Sequence, residues 1–360
     1  MKIGILTFHR AENFGAVLQA YALQSFLLQE GYDVRIIDYR NAAIERSYHI
    51  FNPSILWSRK NLLISLQTYL LRFLHIQEKQ LRKRKYEDFR RQYLRLTSPV
   101  SNIQKPLDFD CYITGSDQVW NLHLTGGLDS VYFLGFPMYA HSIKISYAAS
   151  SDNDPNGLIK THGAKLRNLL NTFHAISVRE TFLKQELQPY VQFPIQVCLD
   201  PTFLLSREAY LKMAIKPVET RYILVYHMTP VRMGTGLAHS IAAGSGREVL
   251  EIYGGYTSHT HSKKGLGPLE LLGYIAYADK VITTSFHGLS LSLILHKDVW
   301  VVNKGDNLRQ RHLLETLGLS HRLLNTCKDY NSSEIDYRII DVRLSELIQS
   351  SKSFLKMSLS

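Results

Sequence analysis

No apolar run in this chain approaches the roughly 20 residues needed to cross a bilayer. The opening stretch, "MKIGILTFHR", has too short an apolar core for a secretory signal and lacks a small-residue cleavage site, so it reads as a first β-strand. Cysteine is scarce as well. The three present, Cys111, Cys198 and Cys327, lie far apart, with no CxxC pair and no histidine spacing that suggests zinc. That is the pattern of reduced thiols in a cytosolic protein, not of a disulfide framework. A GxGxxG dinucleotide fingerprint and a Walker A lysine loop are both missing. So are internal repeats and low-complexity segments.

Positive charge, by contrast, is in excess. The 360 residues carry 42 Lys and Arg against 31 Asp and Glu, a net charge of +11. Such a balance favours anionic partners: phosphorylated small molecules, nucleic acid or an acidic lipid surface. The excess is concentrated between Arg59 and Arg95, where 11 basic residues meet 3 acidic ones. Residues 54–95 have helical spacing and read as two helices broken near His75–Glu78. The second, "KQLRKRKYEDFRRQYLRL", is amphipathic and basic. A helix of that kind can lie on an anionic membrane, but packing on a sheet with a solvated basic face is the preferred reading.

Along the rest of the chain, β-type runs alternate with helical ones. "KIGILTF", "NFGAVLQAYALQSFLLQEGY" and "DVRIIDYR" form a β-α-β unit at the start, with Gly31 closing the helix. This arrangement predicts a parallel sheet flanked by helices. Strands at "DFDCYITGSDQVWN", "IKISYAASSD", "FHAISVRE" and "IQVCLDPTFLL" each end in small and polar residues. Ligands of open α/β sheets bind at such strand ends. After a linker at 201–220, "RYILVYHM" begins a second α/β set. The expected organisation is an N-terminal domain over 1–200 with the helical insertion 54–95, a C-terminal domain over 221–330, and a closing helix over 331–360. Two Rossmann-like domains facing across a cleft describe a GT-B-like enzyme, whose site lies between them.

Four places can carry chemistry. In "TTSFHGLSLSLILHK" a strand hands over to a helix expected to start at Gly288. The helix N-terminus favours an anion, Gly288 permits close approach, and His287 stands beside it able to donate a proton. "TGSDQVWN" gathers Gly115, Ser116, Asp117, Gln118 and Asn121 around Trp120, a set suited to sugar hydroxyls with an aromatic for stacking. An Asx-type turn at Asp117 competes with that reading. The first βα turn holds His9, Arg10, Asn13 and Gly15, although Asn13 is equally explained as a helix N-cap. Arg179, Arg309 and Arg311 have forks that suit carboxylate and phosphate.

Taken in order, "NFGAVLQAYAL", "GSDQVWN", "SYAAS", "SVRE", "LDPTFLL", "TTSFHG" and "NLRQRHLLETLGL" resemble the polysaccharide pyruvyltransferase family, in its bacterial surface and exopolysaccharide branch. The likeness runs from about residue 3 to about residue 320. It implies a cytoplasmic enzyme, with association at the inner membrane face left open. Such an enzyme moves a pyruvyl group from phosphoenolpyruvate to two hydroxyls of a sugar, free or lipid-linked, forming a ketal and releasing phosphate. Phosphoenolpyruvate is then a co-substrate; no cofactor, metal or nucleic acid is implied. Carried over by position, His287 becomes the general acid and Asp117 the base. Arg179, Ser285, Gly288 and Arg309 become the donor side, and His9, Asn13, Gly15, Gln118 and Asn121 the acceptor side. In some members an arginine stands two residues before the histidine. Here that position is Ser285, and Arg309 is expected to supply the charge. "SYAASSD" also departs from relatives that continue with an aromatic and a glycine.

The main rival is a GT-B glycosyltransferase with a nucleotide-sugar donor. Such enzymes place acidic residues after the corresponding glycine, whereas no acid follows Gly288 until Asp298. A second rival, a non-catalytic glycan- or lipid-binding protein on the same fold, is disfavoured because the histidine and arginines are present.

Overall fold

A computed structural model describes residues 1–48, 76–151, 155–228, 231–253, 262–305 and 307–360. The expected first helix of the basic insertion falls outside the described residues. Two six-stranded parallel sheets make up the molecule. The first contains β1 (Lys2–Leu6), β2 (Asp33–Ile36), β3 (Cys111–Thr114), β4 (Ile143–Ala149), β5 (Ala175–Val178) and β6 (Gln196–Val197), in the order β2-β1-β3-β4-β5-β6. The second contains β7 (Tyr222–His227), β8 (Glu248–Tyr253), β9 (Ser262–Lys263), β10 (Lys280–Thr283), β11 (Asp298–Val302) and β12 (Leu323–Leu324), in the order β12-β11-β10-β7-β8-β9. Strand order reverses between β1 and β3 in the first sheet and between β7 and β10 in the second. These are the topological switch points, where α/β sheets open a crevice at the carboxyl ends of their strands.

Helices of the first half are α1 (Phe14–Gln29), α2 (Ala42–Ser47), α3 (Ile76–Tyr93), α4 (Leu122–Thr125), α5 (Pro155–Leu170) and α6 (Thr181–Leu187). Those of the second are α7 (Arg207–Met213), α8 (Arg232–Ala242), α9 (Pro268–Ala276), α10 (Phe286–Ile294), α11 (Leu308–Leu317) and α12 (Tyr337–Leu359). α1 is buried on nearly every side because it packs on both halves. It covers its own sheet, touches the turn Pro201–Leu204 and reaches α9. Phe14 at its start meets Tyr226 of β7 edge to face, with ring centroids 5.1 Å apart. One apolar core therefore runs through both sheets, from Ile3 and Ile5 to Val299 and Val301. A helix that is apolar all round belongs in such a place.

The basic helix α3 turns Tyr86 and Phe89 inward, and Tyr21 of α1 packs on Phe89 and Tyr93. Lys85 pairs with Glu270 of α9, so α3 also links the two halves. Lys83, Arg84 and Arg91 remain on its exposed face. α12 returns to the first half: Leu199 N–H donates to Ser351 Oγ at 3.0 Å, and Lys356 pairs with Glu30 at 2.8 Å. No described helix is long and apolar enough to cross a membrane.

His227 ends β7 fully buried, its Nε2 2.3 Å from where a Cβ on Gly234 would stand. Neither ring nitrogen has a hydrogen-bond partner among the described residues. Burial, with the nearby charge of Lys304, pushes the ring's pKa down to about 4. In the unfolded chain the ring takes up its proton near pH ~6.5. This group therefore leaves stability unchanged above that pH. Stability falls as pH drops from there to about 4, by about 3 kcal/mol in total. Urea unfolding across that range should show the slope, and His227→Asn should flatten it. An equal slope in the variant would mean that another group takes up the proton.

Candidate active site

The loop after β1 is built around buried charge. His9 Nε2 lies 2.9 Å from Asp38 Oδ1, and its Nδ1 lies 3.1 Å from the Thr7 carbonyl. Arg40 grips the same carboxylate through two hydrogen bonds of 2.9 and 2.8 Å. Burial alone would raise the Asp38 carboxyl, but hydrogen bonds from His9 and Arg40 outweigh it and hold the group well below the usual carboxylate range. His9 is fully buried with both nitrogens engaged, so it braces this loop and presents no surface to an acceptor. That corrects its expected acceptor contact. Asn13 caps α1, its Oδ1 accepting from Gly15 N at 2.9 Å and Ala16 N at 3.4 Å.

Across the switch point, the loop after β3 turns at Asp117, whose φ of 69° is left-handed backbone that Asp tolerates better than most residues. Asp117 Oδ1 accepts from Gln118 N at 2.9 Å, and its carbonyl accepts from Ser150 N at 3.0 Å. Gln118 Nε2 donates to the Ser151 carbonyl at 3.0 Å, and Asn121 caps α4. Asp117 and Gln118 are half-buried at the cleft, whereas Asn121 is buried. Trp120 is fully buried, stacked on Phe133 at 5.1 Å, with Nε1–H donating to the Tyr132 carbonyl. Its ring belongs to the core, so the expected sugar-stacking platform is corrected too. The apolar face is already spent on Phe133.

In the second half, α10 begins two residues earlier than expected. Ser285 is its N-cap, with Oγ accepting from Gly288 N at 3.2 Å. Phe286 and His287 therefore lie in the first turn. Ser285 shapes the helix start where some relatives carry arginine. His287 is 7% exposed and reaches across to the first half. Its ring occupies the space in which Gly15 has no side chain: a Cβ there would lie 2.1 Å from Nδ1 and 2.2 Å from Cγ.

The two halves meet at Asp200, which precedes the crossover into the second half. Its Oδ2 accepts from Arg179 Nη1 at 2.8 Å and from Ser116 Oγ at 3.1 Å, and stands 3.4 Å from His287 Nε2. Its Oδ1 accepts from Thr202 N at 3.0 Å and Thr202 Oγ1 at 2.8 Å. Arg179 also donates from Nε to Glu180 at 2.8 Å, and Ser150 Oγ holds that carboxylate at 2.9 Å. The guanidinium lies over the Phe286 ring at 4.3 Å. Burial would raise the Asp200 carboxyl, but the charge and hydrogen bond of His287 and the charge of Arg179 outweigh it and keep it ionised. For Arg179, burial would lower the pKa, but Glu180 and Asp200 push it further up. Arg179 Nη2 is buried without a hydrogen-bond partner among the described residues, whereas His287 Nε2 faces Asp200. Beside them a pocket is lined by Arg179, Asp200, Phe286, Arg309, His312 and Thr316, among others.

A family model for polysaccharide pyruvyl transferase matches residues 13–305. The chain belongs to that family. No protein of curated function matches it. Among solved structures it is similar to the UDP-GlcNAc 2-epimerase of Neisseria meningitidis bound to UDP-GlcNAc, at 10% identity and a TM-score of 0.50, over 99% of this chain and 94% of that one. The Methanocaldococcus jannaschii UDP-GlcNAc 2-epimerase, in complex with UDP-GlcNAc and UDP, has 14% identity and a TM-score of 0.44, over 96% and 93% of the two chains. Spinosyn forosaminyltransferase SpnP has 10% identity and a TM-score of 0.40, over 98% and 95%. At such identity the Neisseria likeness shows the fold alone: two facing α/β domains of GT-B type.

For this pyruvyl transferase family member, the geometry brings His287, Arg179, Gly15 and Gly288 to the domain junction, with Arg309 on the pocket beside it. Asp117 and Gln118 lie on the loop that also carries Ser116. Asp200, Glu180, Phe286 and His312 were not singled out from sequence. Asp200 and Glu180 stood within the recognised stretches "LDPTFLL" and "VRE", and that was the one signal that they matter.

Gly15→Ala sets two effects against each other. Helix propensity alone favours alanine by ~1 kcal/mol, whereas overpacking against His287 costs about 1–3 kcal/mol. The clash should prevail, lowering the melting temperature and the activity. In a His287→Ala background the same change should no longer lower stability. Equal losses in both backgrounds would place the strain elsewhere.

Proposed function

We propose that this protein transfers a pyruvyl group from phosphoenolpyruvate to two hydroxyls of one sugar in a polysaccharide precursor, free or lipid-linked. The observation that carries this reading is the meeting of His287, the unfilled N–H of Arg179, and the pocket lined by Arg309 and His312 at one domain junction. A donor with a carboxylate and a phosphate needs oriented N–H groups and positive charge. A proton from His287 to the methylene carbon makes the methyl group and leaves C2 electron-poor. One hydroxyl adds to C2, and its proton passes to Asp117. The second hydroxyl forms the other C–O bond as the C2–O bond to phosphate breaks, and its proton leaves with inorganic phosphate. The proton collected by Asp117 restores His287, so the sum is phosphoenolpyruvate plus diol to ketal plus phosphate.

Against a nucleotide-sugar donor stands Asp298, the first acid after Gly288. It opens β11 at the end of the sheet opposite the cleft, where Lys280 and Arg322 hold it at 2.9 and 3.4 Å. It is therefore not available to a ribose. The reaction is assigned to the cytoplasm, with the exposed Lys83, Arg84 and Arg91 of α3 as the face that would meet anionic lipid.

Phosphoenolpyruvate with a suitable sugar acceptor should release inorganic phosphate, with the mass gain of a ketal on the acceptor. His287→Ala should lower turnover by ~100-fold or more, in keeping with the contribution of a general acid. Unchanged turnover would remove His287 from that role. Thermal stabilisation by UDP-sugars alone, with none from phosphoenolpyruvate, would favour the glycosyltransferase reading. In a separate test, reversing charge at Lys83, Arg84 and Arg91 should reduce flotation with phosphatidylserine vesicles. Unaltered flotation would dispose of the lipid contact.

A further inference from the structure

We infer that Asp200 is a positioning residue for this reaction: it fixes the ring of His287 and the fork of Arg179 from one buried carboxylate, so that the ring and the remaining N–H of Arg179 serve the same ligand. This rests on the function proposed above.

Asp200 is itself immobilised on both oxygens. Thr202 binds Oδ1 through its backbone and its hydroxyl, while Ser116 and Arg179 bind Oδ2. All of these come from the first half or from the turn that follows Asp200. Among the described residues, its ion-pair partner from the second half is His287, at 3.4 Å. The residue is 1% exposed, and both of its oxygens are engaged by the protein. Its part in the reaction must pass through the groups it touches. Of those groups Arg179 keeps a vacancy: its Nη2 is buried and has no hydrogen-bond partner among the described residues, while His287 Nε2 is the atom turned to Asp200. A buried donor left unmet is costly in a finished core. Such a donor beside the His287 ring marks a place prepared for an acceptor that arrives with the ligand. Glu180 holds the other side of the arginine fork, and its carboxylate is anchored by Ser150. The guanidinium plane is set by Phe286, the residue before His287. Arginine and histidine are thus oriented as one unit, with Asp200 as the shared reference.

The test compares the unchanged chain with Asp200→Asn, which keeps the shape and the Thr202 contacts but removes the charge. Steady-state phosphate release should show kcat lowered ~100-fold or more, the scale of losing a preorganised contact, with KM for phosphoenolpyruvate within about threefold. A merely structural role would not split the two constants. Independently of activity, the ¹⁵N ring signals of His287, assigned by comparison with His287→Ala, should differ between the unchanged chain and Asp200→Asn. If Asp200→Asn does not fold, Ser116→Ala decides, because it keeps the charge and loosens only the carboxylate. It should lower kcat several-fold at unchanged KM and shift the same ring signals. Identical ring signals in a folded variant, or a loss confined to KM, would overturn the inference. Should the unchanged chain release no phosphate with any sugar acceptor, the proposed function fails while the ring signals still decide on Asp200.

Discussion

The carboxylate of Asp200 is the contact on which the junction of the two halves depends. It sits where the chain leaves the first sheet, and it touches an arginine from that sheet and a histidine from the other. Burying charge is expensive unless each ion is paired and its remaining polar atoms are bonded. Here Arg179 lies between two carboxylates, and serine and threonine hydroxyls add hydrogen bonds to Glu180 Oε1 and to both oxygens of Asp200. Removing one partner from such a set costs about 3–5 kcal/mol, because the others stay buried. The network therefore fixes local geometry far more firmly than any surface ion pair could.

A second constraint is the shared wall. α1 has no solvent face to spare, since one side covers its own sheet and the other meets α9 and the turn Pro201–Leu204. Its N-terminus is brought against that of α10, and a glycine at position 15 is what lets the His287 ring lie there. The cleft is consequently closed at its centre by packed side chains and open to one side, where α11 and α12 line the pocket. α12 belongs to the second half by sequence but rests on the first, through Ser351 and Lys356. The geometry of the candidate site is held by apolar packing around a small polar centre, not by the loops alone.

Much of the fold was legible because parallel strands buried on both faces read as short continuous apolar runs, and the helices between them keep their period. "KIGILTF" and "RYILVYHM" announced the strands that open each sheet, and the polar residues after each strand marked the crevice. What sequence could not show was side-chain direction. Trp120 in "GSDQVWN" could face a sugar or Phe133, and only the packing decides. His9 beside Arg10 reads as a site residue until Asp38, a distant partner, is found to own its ring. Asp200 had the opposite fate. An aspartate before a proline reads as a turn, and its contacts with Ser116, Arg179 and His287 come from three other parts of the chain. The start of α10 was misplaced because Gly288 suggested a boundary, whereas Ser285 caps the helix earlier.

The charge arrangement bears on how the proposed anionic donor would be recognised. Arg179 does not offer an unopposed cation, since Glu180 and Asp200 already neutralise it and leave one negative charge in excess among the three. Its value to a ligand is a rigid N–H held in a known direction. Attraction must then come from elsewhere: from Arg309 and His312 on the pocket wall, from the N-terminal end of α10, and from the overall charge of +11. The absence of an arginine at position 285 fits this division. A serine there caps the helix and keeps its first turn in place, which matters more to a geometry-based site than one further cation would. Recognition by fixed donors near a compensated arginine favours a ligand whose oxygens match their positions over any anion of equal charge. That is the selectivity an enzyme needs if it must hold a carboxylate and a phosphate of one small molecule while excluding free phosphate, its own product.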